Sequence, residues 1–228
     1  MTTIPITIID DFLPNPNATR NWALDLEYPL QGKDRYPGVR SLDLGNIHPS
    51  FYKYITKKIN SIFFEETQGI KATGYFQNIT SLPEKGWIHQ DPCLYTAILY
   101  LSPSDPNIDR GTSLYDLKPN TFFSIRNIND INVWEIQKRH YLNNFISPED
   151  LKIKNQYENE IFNLKINIPD KFNRLVVFPG DIPHANNYII SPNVKDRLTL
   201  ILFFYKIYTS NEYPILRSKL TLENPLDF

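Results

Sequence analysis

Four histidines occur in the 228 residues, at positions 48, 89, 140 and 184, and two of them sit in chemically suggestive company. His89 and Asp91 are two residues apart in Gly86-Trp87-Ile88-His89-Gln90-Asp91-Pro92. On extended backbone the side-chain period is two, so an imidazole and a carboxylate at that spacing project to one side. They can converge on one metal ion, with a third ligand supplied from elsewhere. His184 ends Leu175-Val176-Val177-Phe178-Pro179-Gly180-Asp181-Ile182-Pro183-His184, which reads as a buried strand, a Pro-Gly turn and a histidine entering the next strand. Two imidazoles and one carboxylate on one face of a metal, with other positions open, is the ligand set of Fe(II) oxygenases. Each half alone is a common accident of sequence. Taken by itself, His184 reads as a structural histidine at a strand edge.

Asp196-Arg197-Leu198-Thr199 opens a further apolar strand that runs to Tyr205. Arg197 and Thr199 share a face, and in a pocket a guanidinium with a neighbouring hydroxyl seats a carboxylate. An exposed arginine at a strand start is the plain alternative, and Lys195, on the same face, is a rival partner for the carboxylate. Cys93 is the single cysteine, so neither an intrachain disulfide nor a cysteine-based zinc site can form. A nucleophilic pair of Cys93 with His89 is a further alternative, but Cys93 is read more simply as a small apolar residue near the site.

These residues need a scaffold. Ile4-Pro5-Ile6-Thr7-Ile8-Ile9 predicts a strand, ended by Asp10 and Asp11. Asn15-Pro16-Asn17 predicts a turn into a helix with Trp22, Leu24 and Leu26 as its apolar positions. From Pro49 to about Glu66, the spacing of Phe51, Tyr54, Ile55, Ile59, Ile62 and Phe63 predicts a helix burying one face. After Gly69 the pattern changes to strands: 72–79, 94–101, 113–117, 175–178, 185–190 and 197–208. Short strands parted by Pro, Gly and Asp turns predict a β-sandwich or jelly roll. Residues 116–170 are too many for a sandwich turn and predict an insertion with helices of its own. Ser147 would cap one of them, with Pro148 in its first turn and 151–161 as a charged surface helix. The expected fold class is α+β in one domain, 1–228: an N-terminal strand and supporting helices (1–70), a core (71–210) and a C-terminal tail (211–228).

Composition narrows the function classes. The net charge of −1 creates no field for nucleic acid or an anionic membrane. The first residues, Met1-Thr2-Thr3-Ile4-Pro5, lack the basic and apolar regions of a signal peptide. No apolar run approaches the roughly 20 residues that span a bilayer. A cytoplasmic setting is expected, with a small-molecule, peptide or protein substrate and no nucleic-acid or membrane partner. Eighteen prolines against eight glycines suggest strands joined by stiffened turns.

In this order the segments resemble the Fe(II)/2-oxoglutarate-dependent oxygenases, in the branch similar to prolyl hydroxylases. The resemblance runs from about Gly74 to Tyr205. Beyond the ligand segments, Ala97-Ile98-Leu99-Tyr100-Leu101-Ser102 resembles the family's next core strand, and Gly111-Thr112-Ser113-Leu114-Tyr115 the entry to the following one. The resemblance implies a double-stranded β-helix core of jelly-roll or cupin-like form. It implies Fe(II) held by His89, Asp91 and His184, with 2-oxoglutarate and O2 as cosubstrates, and hydroxylation with release of succinate and CO2. Arg197 and Thr199 would hold the far carboxylate of 2-oxoglutarate, with the Tyr100 hydroxyl donating to it. Two departures stand out: an enlarged turn at 190–193, and Arg110 where the family usually has a second glycine. Trp87, Tyr95, Tyr115, Asn186 and Arg126 are candidates for the pocket mouth. The loop after Tyr28 and the insertion at 116–170 are candidate lids; Tyr36-Pro37-Gly38-Val39-Arg40 could belong to the first but reads more simply as a plain turn. Two other readings compete: a non-catalytic cupin-like metal- or ligand-binding module, and a zinc hydrolase, against which the Arg197/Thr199 pair speaks.

Overall fold

In this computed structural model, residues 4–32, 35–64, 66–80, 85–104, 109–118, 131–143, 145–187 and 197–209 are described. The β-branched run after Pro5 forms strand β1 (Thr7–Ile9). Helix α1 (Pro16–Leu24) starts where expected: the Asn15 side chain accepts from the Ala18 N–H, and Pro16 occupies the first turn. It buries Ala23 and packs Trp22 on the core, whereas Leu24 is exposed and takes no part in the apolar face. Two short strands, β2 (Leu30–Gln31) and β3 (Val39–Arg40), precede α2 (Leu44–Ile47). Helix α3 (Pro49–Asn60), capped by His48, buries Ile55 and Ile59 but leaves Tyr54 half exposed. It ends six residues earlier than the apolar spacing suggested, since Ile62 and Phe63 reach the core from the turn that follows.

The strands of the second half are β4 (Gly69–Ile79), β5 (Tyr95–Tyr100), β6 (Thr112–Leu117), β7 (Phe162–Ile168), β8 (Leu175–Pro179), β9 (His184–Asn186) and β10 (Arg197–Tyr208). They form a seven-stranded sheet of order β1-β8-β5-β10-β4-β3-β2 and a three-stranded sheet of order β7-β6-β9. Every pairing is antiparallel. The alternation of β10 decides what goes where. Leu198, Leu200, Leu202 and Phe204 turn toward α1 and α3 and join Ala23, Ile55 and Ile59 in the main apolar cluster. Arg197, Thr199, Ile201, Phe203 and Tyr205 take the other face. On that side Ile98, Tyr100, Val176 and Phe178 of the large sheet pack against Leu114 and Ile168 of the small one.

Two expectations need correction. The segment 116–170 is not wholly an insertion, because β7 pairs with β6 along its length and completes the small sheet. As an edge strand it leaves Leu164 and its polar neighbours in solvent, which blurs the alternation that marks a strand. The inserted helices are α4 (Ile131–Asn143) and α5 (Pro148–Ile161). Ser147 caps α5 as expected, but the helix is no plain surface element: Lys154 and Glu158 are buried and paired at 3.1 Å. The turn at 190–193, Lys195, Arg126 and the tail 211–228 lie outside the described residues. Among the described residues no helix is long and apolar enough to cross a membrane.

Candidate metal centre

The backbone brings the two ligand segments together directly. His89 and His184 form an isolated antiparallel bridge, His89 N donating to His184 O at 3.0 Å and His184 N to His89 O at 2.8 Å. Two residues on, Asp91 N donates to the Gly180 carbonyl at 2.8 Å. A Cβ at Gly180 would collide with the Cys93 carbonyl oxygen, so glycine is required for this close approach. The stretch before β5 is therefore extended but not a regular strand, and it is held in place by its partner segment.

Three donors result. Among the described residues, His89, Asp91 and His184 are the one group of three that can hold a metal ion, their ligand atoms lying within 4.8 Å of one another. His184 Nε2 is 3.2 Å from Asp91 Oδ2, and His89 Nε2 is 3.8 Å from Asp91 Oδ1. Adjacent ligands on a metal with bonds of about 2.0–2.1 Å stand about 3 Å apart, so the two spacings to Asp91 are close to what a shared ion needs. Both imidazoles have Nδ1 engaged by a carbonyl two residues back, Trp87 O for His89 and Ile182 O for His184, each at 2.9 Å. That fixes the tautomer with Nε2 free to ligate. Thr96 Oγ1 donates to Asp91 Oδ2 at 2.5 Å and orients the carboxylate.

The electrostatics fit a cation. Burial and the neighbouring His184 push the His89 pKa down to about 4. Burial alone would raise that of Asp91, but His184, His89 and the Thr96 hydroxyl outweigh it and hold the carboxyl well below its usual range. For His184 the burial effect is outweighed by Asp91, and its pKa rises. Even so, the His89 side chain keeps 43% exposure, because its edge opens on a cavity of about 510 Å³.

Of the other expected site residues, Arg197, Thr199 and Tyr100 meet one another but do not line that cavity. Thr199 pairs with Tyr100 in register, and the Arg197 guanidinium carbon lies 5.5 Å from the Tyr100 ring centre. Ile98 and Ile201, the next pair along the sheet, form the cavity wall between them and the open space. Arg197 is 2% exposed, its Nε donates to the Arg110 carbonyl at 2.6 Å, and no carboxylate lies within ion-pair distance among the described residues. Thr199 Oγ1 is buried without a partner, and the Tyr100 hydroxyl donates to Thr112 Oγ1 at 2.7 Å. Arg110 is itself buried against Asp170 at 2.9 Å. A buried guanidinium with no counter-ion beside an unsatisfied hydroxyl is a costly arrangement that an anion would relieve.

Asn186 lines the cavity, whereas Trp87, Tyr95 and Tyr115 do not. Trp87 is buried and donates its indole N–H to His140 Nδ1 at 3.0 Å. Sequence reasoning gave no specific role to Arg40, which lines the cavity from β3, or to Tyr141 and Gln137, which α4 contributes to the wall. Only the Tyr36–Arg40 stretch carried a hint, as a turn.

Residues 1–204 match the profile of a family described as a family of unknown function (DUF6445). The chain belongs to the DUF6445 family. No curated protein matches its sequence. The DUF6445 chain is similar in structure to HygX from Streptomyces hygroscopicus. Against HygX with nickel, 2-oxoglutarate and hygromycin B bound, the TM-score is 0.57 at 12% identity, covering 89% of this chain and 83% of that one. Against HygX with nickel and 2-oxoglutarate bound it is 0.55 at 13% identity, covering 95% and 91%. At this identity the likeness is one of fold.

Proposed function

We propose that this DUF6445 chain is a non-haem Fe(II)- and 2-oxoglutarate-dependent dioxygenase, with the facing sheets as a double-stranded β-helix core. The observation that carries this reading is the convergence of His89, Asp91 and His184, tautomers fixed and Nε2 atoms free, at the wall of a cavity. HygX, which shares the fold, has been solved with iron bound and with nickel and 2-oxoglutarate bound. Ferrous iron with 2-oxoglutarate and O2 supplies oxidative decarboxylation to succinate and CO2, coupled to hydroxylation of a substrate.

The protein's part is positioning. His89, Asp91 and His184 would hold the ion at the cavity wall. Arg197 and Thr199 would hold the far carboxylate of 2-oxoglutarate, which would pair with a guanidinium that has no carboxylate within ion-pair distance among the described residues. For this the Ile98/Ile201 wall must part by a side-chain rotation. Tyr100 supports Arg197 across the strand pair, its hydroxyl committed to Thr112.

The test is succinate formation from 2-oxoglutarate by the Fe(II)-loaded protein. Wild type should release succinate, whereas Asp91→Ala and His184→Ala should fall to background while keeping the wild-type circular dichroism. Arg197→Ala should raise the 2-oxoglutarate KM about tenfold or more, as expected for loss of a charge-assisted pair. Succinate release in either ligand variant at the wild-type rate removes the centre from the reaction. Metal binding by the wild type without any turnover favours the cupin-like binding module instead.

A further inference from the structure

Two guanidiniums line the cavity itself, that of Arg35 at an exposed position and that of Arg40 deeper in. The Arg40 guanidinium carbon lies 3.7 Å from the Tyr36 ring centre, 5.4 Å from that of Phe203 and 5.7 Å from that of Tyr75. Its Nη2 donates to Gln77 Oε1 at 3.3 Å, while its Nε is buried with no partner among the described residues. The group is held rather than mobile. Gln77 Nε2 donates to the Pro37 carbonyl at 2.6 Å, so one amide fixes both the guanidinium and the turn above it. Gly38, at φ 70°, completes that turn where any Cβ would strike the Asn78 carbonyl oxygen. Asp91 is the only acidic residue among those that line the cavity, and the proposed metal would claim it.

Charge counting then leaves a remainder. A divalent ion with Asp91 carries one positive charge, and Arg197 adds another. The two carboxylates of 2-oxoglutarate cancel both. Arg35 and Arg40 then remain on the cavity wall; Arg35 is exposed to solvent, whereas Arg40 lies deeper and its positive charge is not answered by a lining carboxylate among the described residues. We infer that Arg40 binds a carboxylate of the substrate, which makes the substrate a carboxylic acid with an apolar or aromatic body. The body follows from the walls: Tyr36, Tyr141, Phe203 and Tyr205 surround the space, and about 510 Å³ suits a small molecule or the end of a larger one. This inference rests on the oxygenase reading above.

The test uses Mn(II)-loaded protein saturated with 2-oxoglutarate, titrated calorimetrically with 3-phenylpropanoate and, separately, with its neutral amide. Wild type should bind the acid about tenfold or more tightly than the amide, the preference expected of a charge-assisted contact. In Arg40→Gln the preference should fall below about twofold, and Arg40→Lys, which keeps the charge without the planar fork, should retain part of it. The 2-oxoglutarate affinity should be unchanged in both variants. Equal binding of acid and amide by the wild type, or a preference that survives Arg40→Gln, overturns the assignment. A large loss of 2-oxoglutarate affinity in Arg40→Gln also overturns it, by giving Arg40 to the cosubstrate. Failure of the underlying reading shows separately and earlier, as wild type and His184→Ala that bind Mn(II) equally before any acid is added.

Discussion

A metal ligand is only as good as the group behind it, and in this chain those groups are ordinary ones: two backbone carbonyls and a threonine hydroxyl. Thr96 is buried among apolar neighbours, so its hydroxyl has Asp91 as its main use. Thr96→Val keeps the shape and removes the donor. The Mn(II) affinity should fall about 10–100-fold, as loss of an outer-shell partner commonly brings, while the metal-free melting temperature changes little. Calorimetric titration checks it, and an unchanged affinity makes Thr96 a packing residue. At this scale the convergence of His89, Asp91 and His184 was legible, because His-x-Asp obeys a period of two and the Pro-Gly turn announces His184. Thr96 was hidden inside the apolar run 94–101. Arg40 was hidden by its element, since a two-residue strand has no period and an arginine after a turn looks like any surface arginine.

The inserted helices buttress the ligand segment. The Trp87 indole donates to His140, Trp87 N to the Tyr141 hydroxyl at 3.3 Å, and Ile88 N to Glu158 Oε1 at 3.2 Å. Three contacts from α4 and α5 thus fall on the two residues before His89. Glu158 also carries the buried pair with Lys154, whose ammonium lies 5.4 Å from the Trp87 ring centre. Glu158→Ala takes from that buried ammonium its carboxylate at 3.1 Å and from the Ile88 N–H its acceptor. The expected loss is about 3–5 kcal/mol of stability by chemical denaturation; a loss under about 1 kcal/mol would mean that Lys154 finds water. The capped start of α5 was readable from Ser147-Pro148, but not its buried face. Charged residues normally mark solvent, and only the tertiary contact reveals that two of them neutralise each other inside. The same limit hid β7, whose pattern is that of an edge.

Across the whole molecule, the first strand is tied to the approach of β8. Asp10 accepts from Arg174 at 2.6 Å and from Lys171 at 2.9 Å. The Arg174 bond first, then that of Lys171, lower its pKa from 3.8 to about 2. A carboxyl depressed in the fold stabilises it above the unfolded pKa, and that stability is lost as pH falls through the folded one. Asp10→Asn should therefore be less stable than wild type at pH 7, and the gap should close between about pH 4 and pH 2. The side chain is about a third exposed, so the gap should be small and shrink in high salt. Denaturation at several pH values reads it; a gap that persists at pH 2 assigns the effect to something other than charge. Most of the longer strands were legible at this scale, because buried strands leave apolar runs between Pro and Gly turns. Their order was not, since pairings such as β10 with β4 join distant parts of the chain.

The bridge between His89 and His184 has a consequence for biosynthesis. A nascent chain paused before residue 184 carries two donors but lacks both the third and the segment that holds the first two in place. The proposed iron could be captured only after the small sheet has received its final strand, which would make metallation one of the last steps in the protein's maturation.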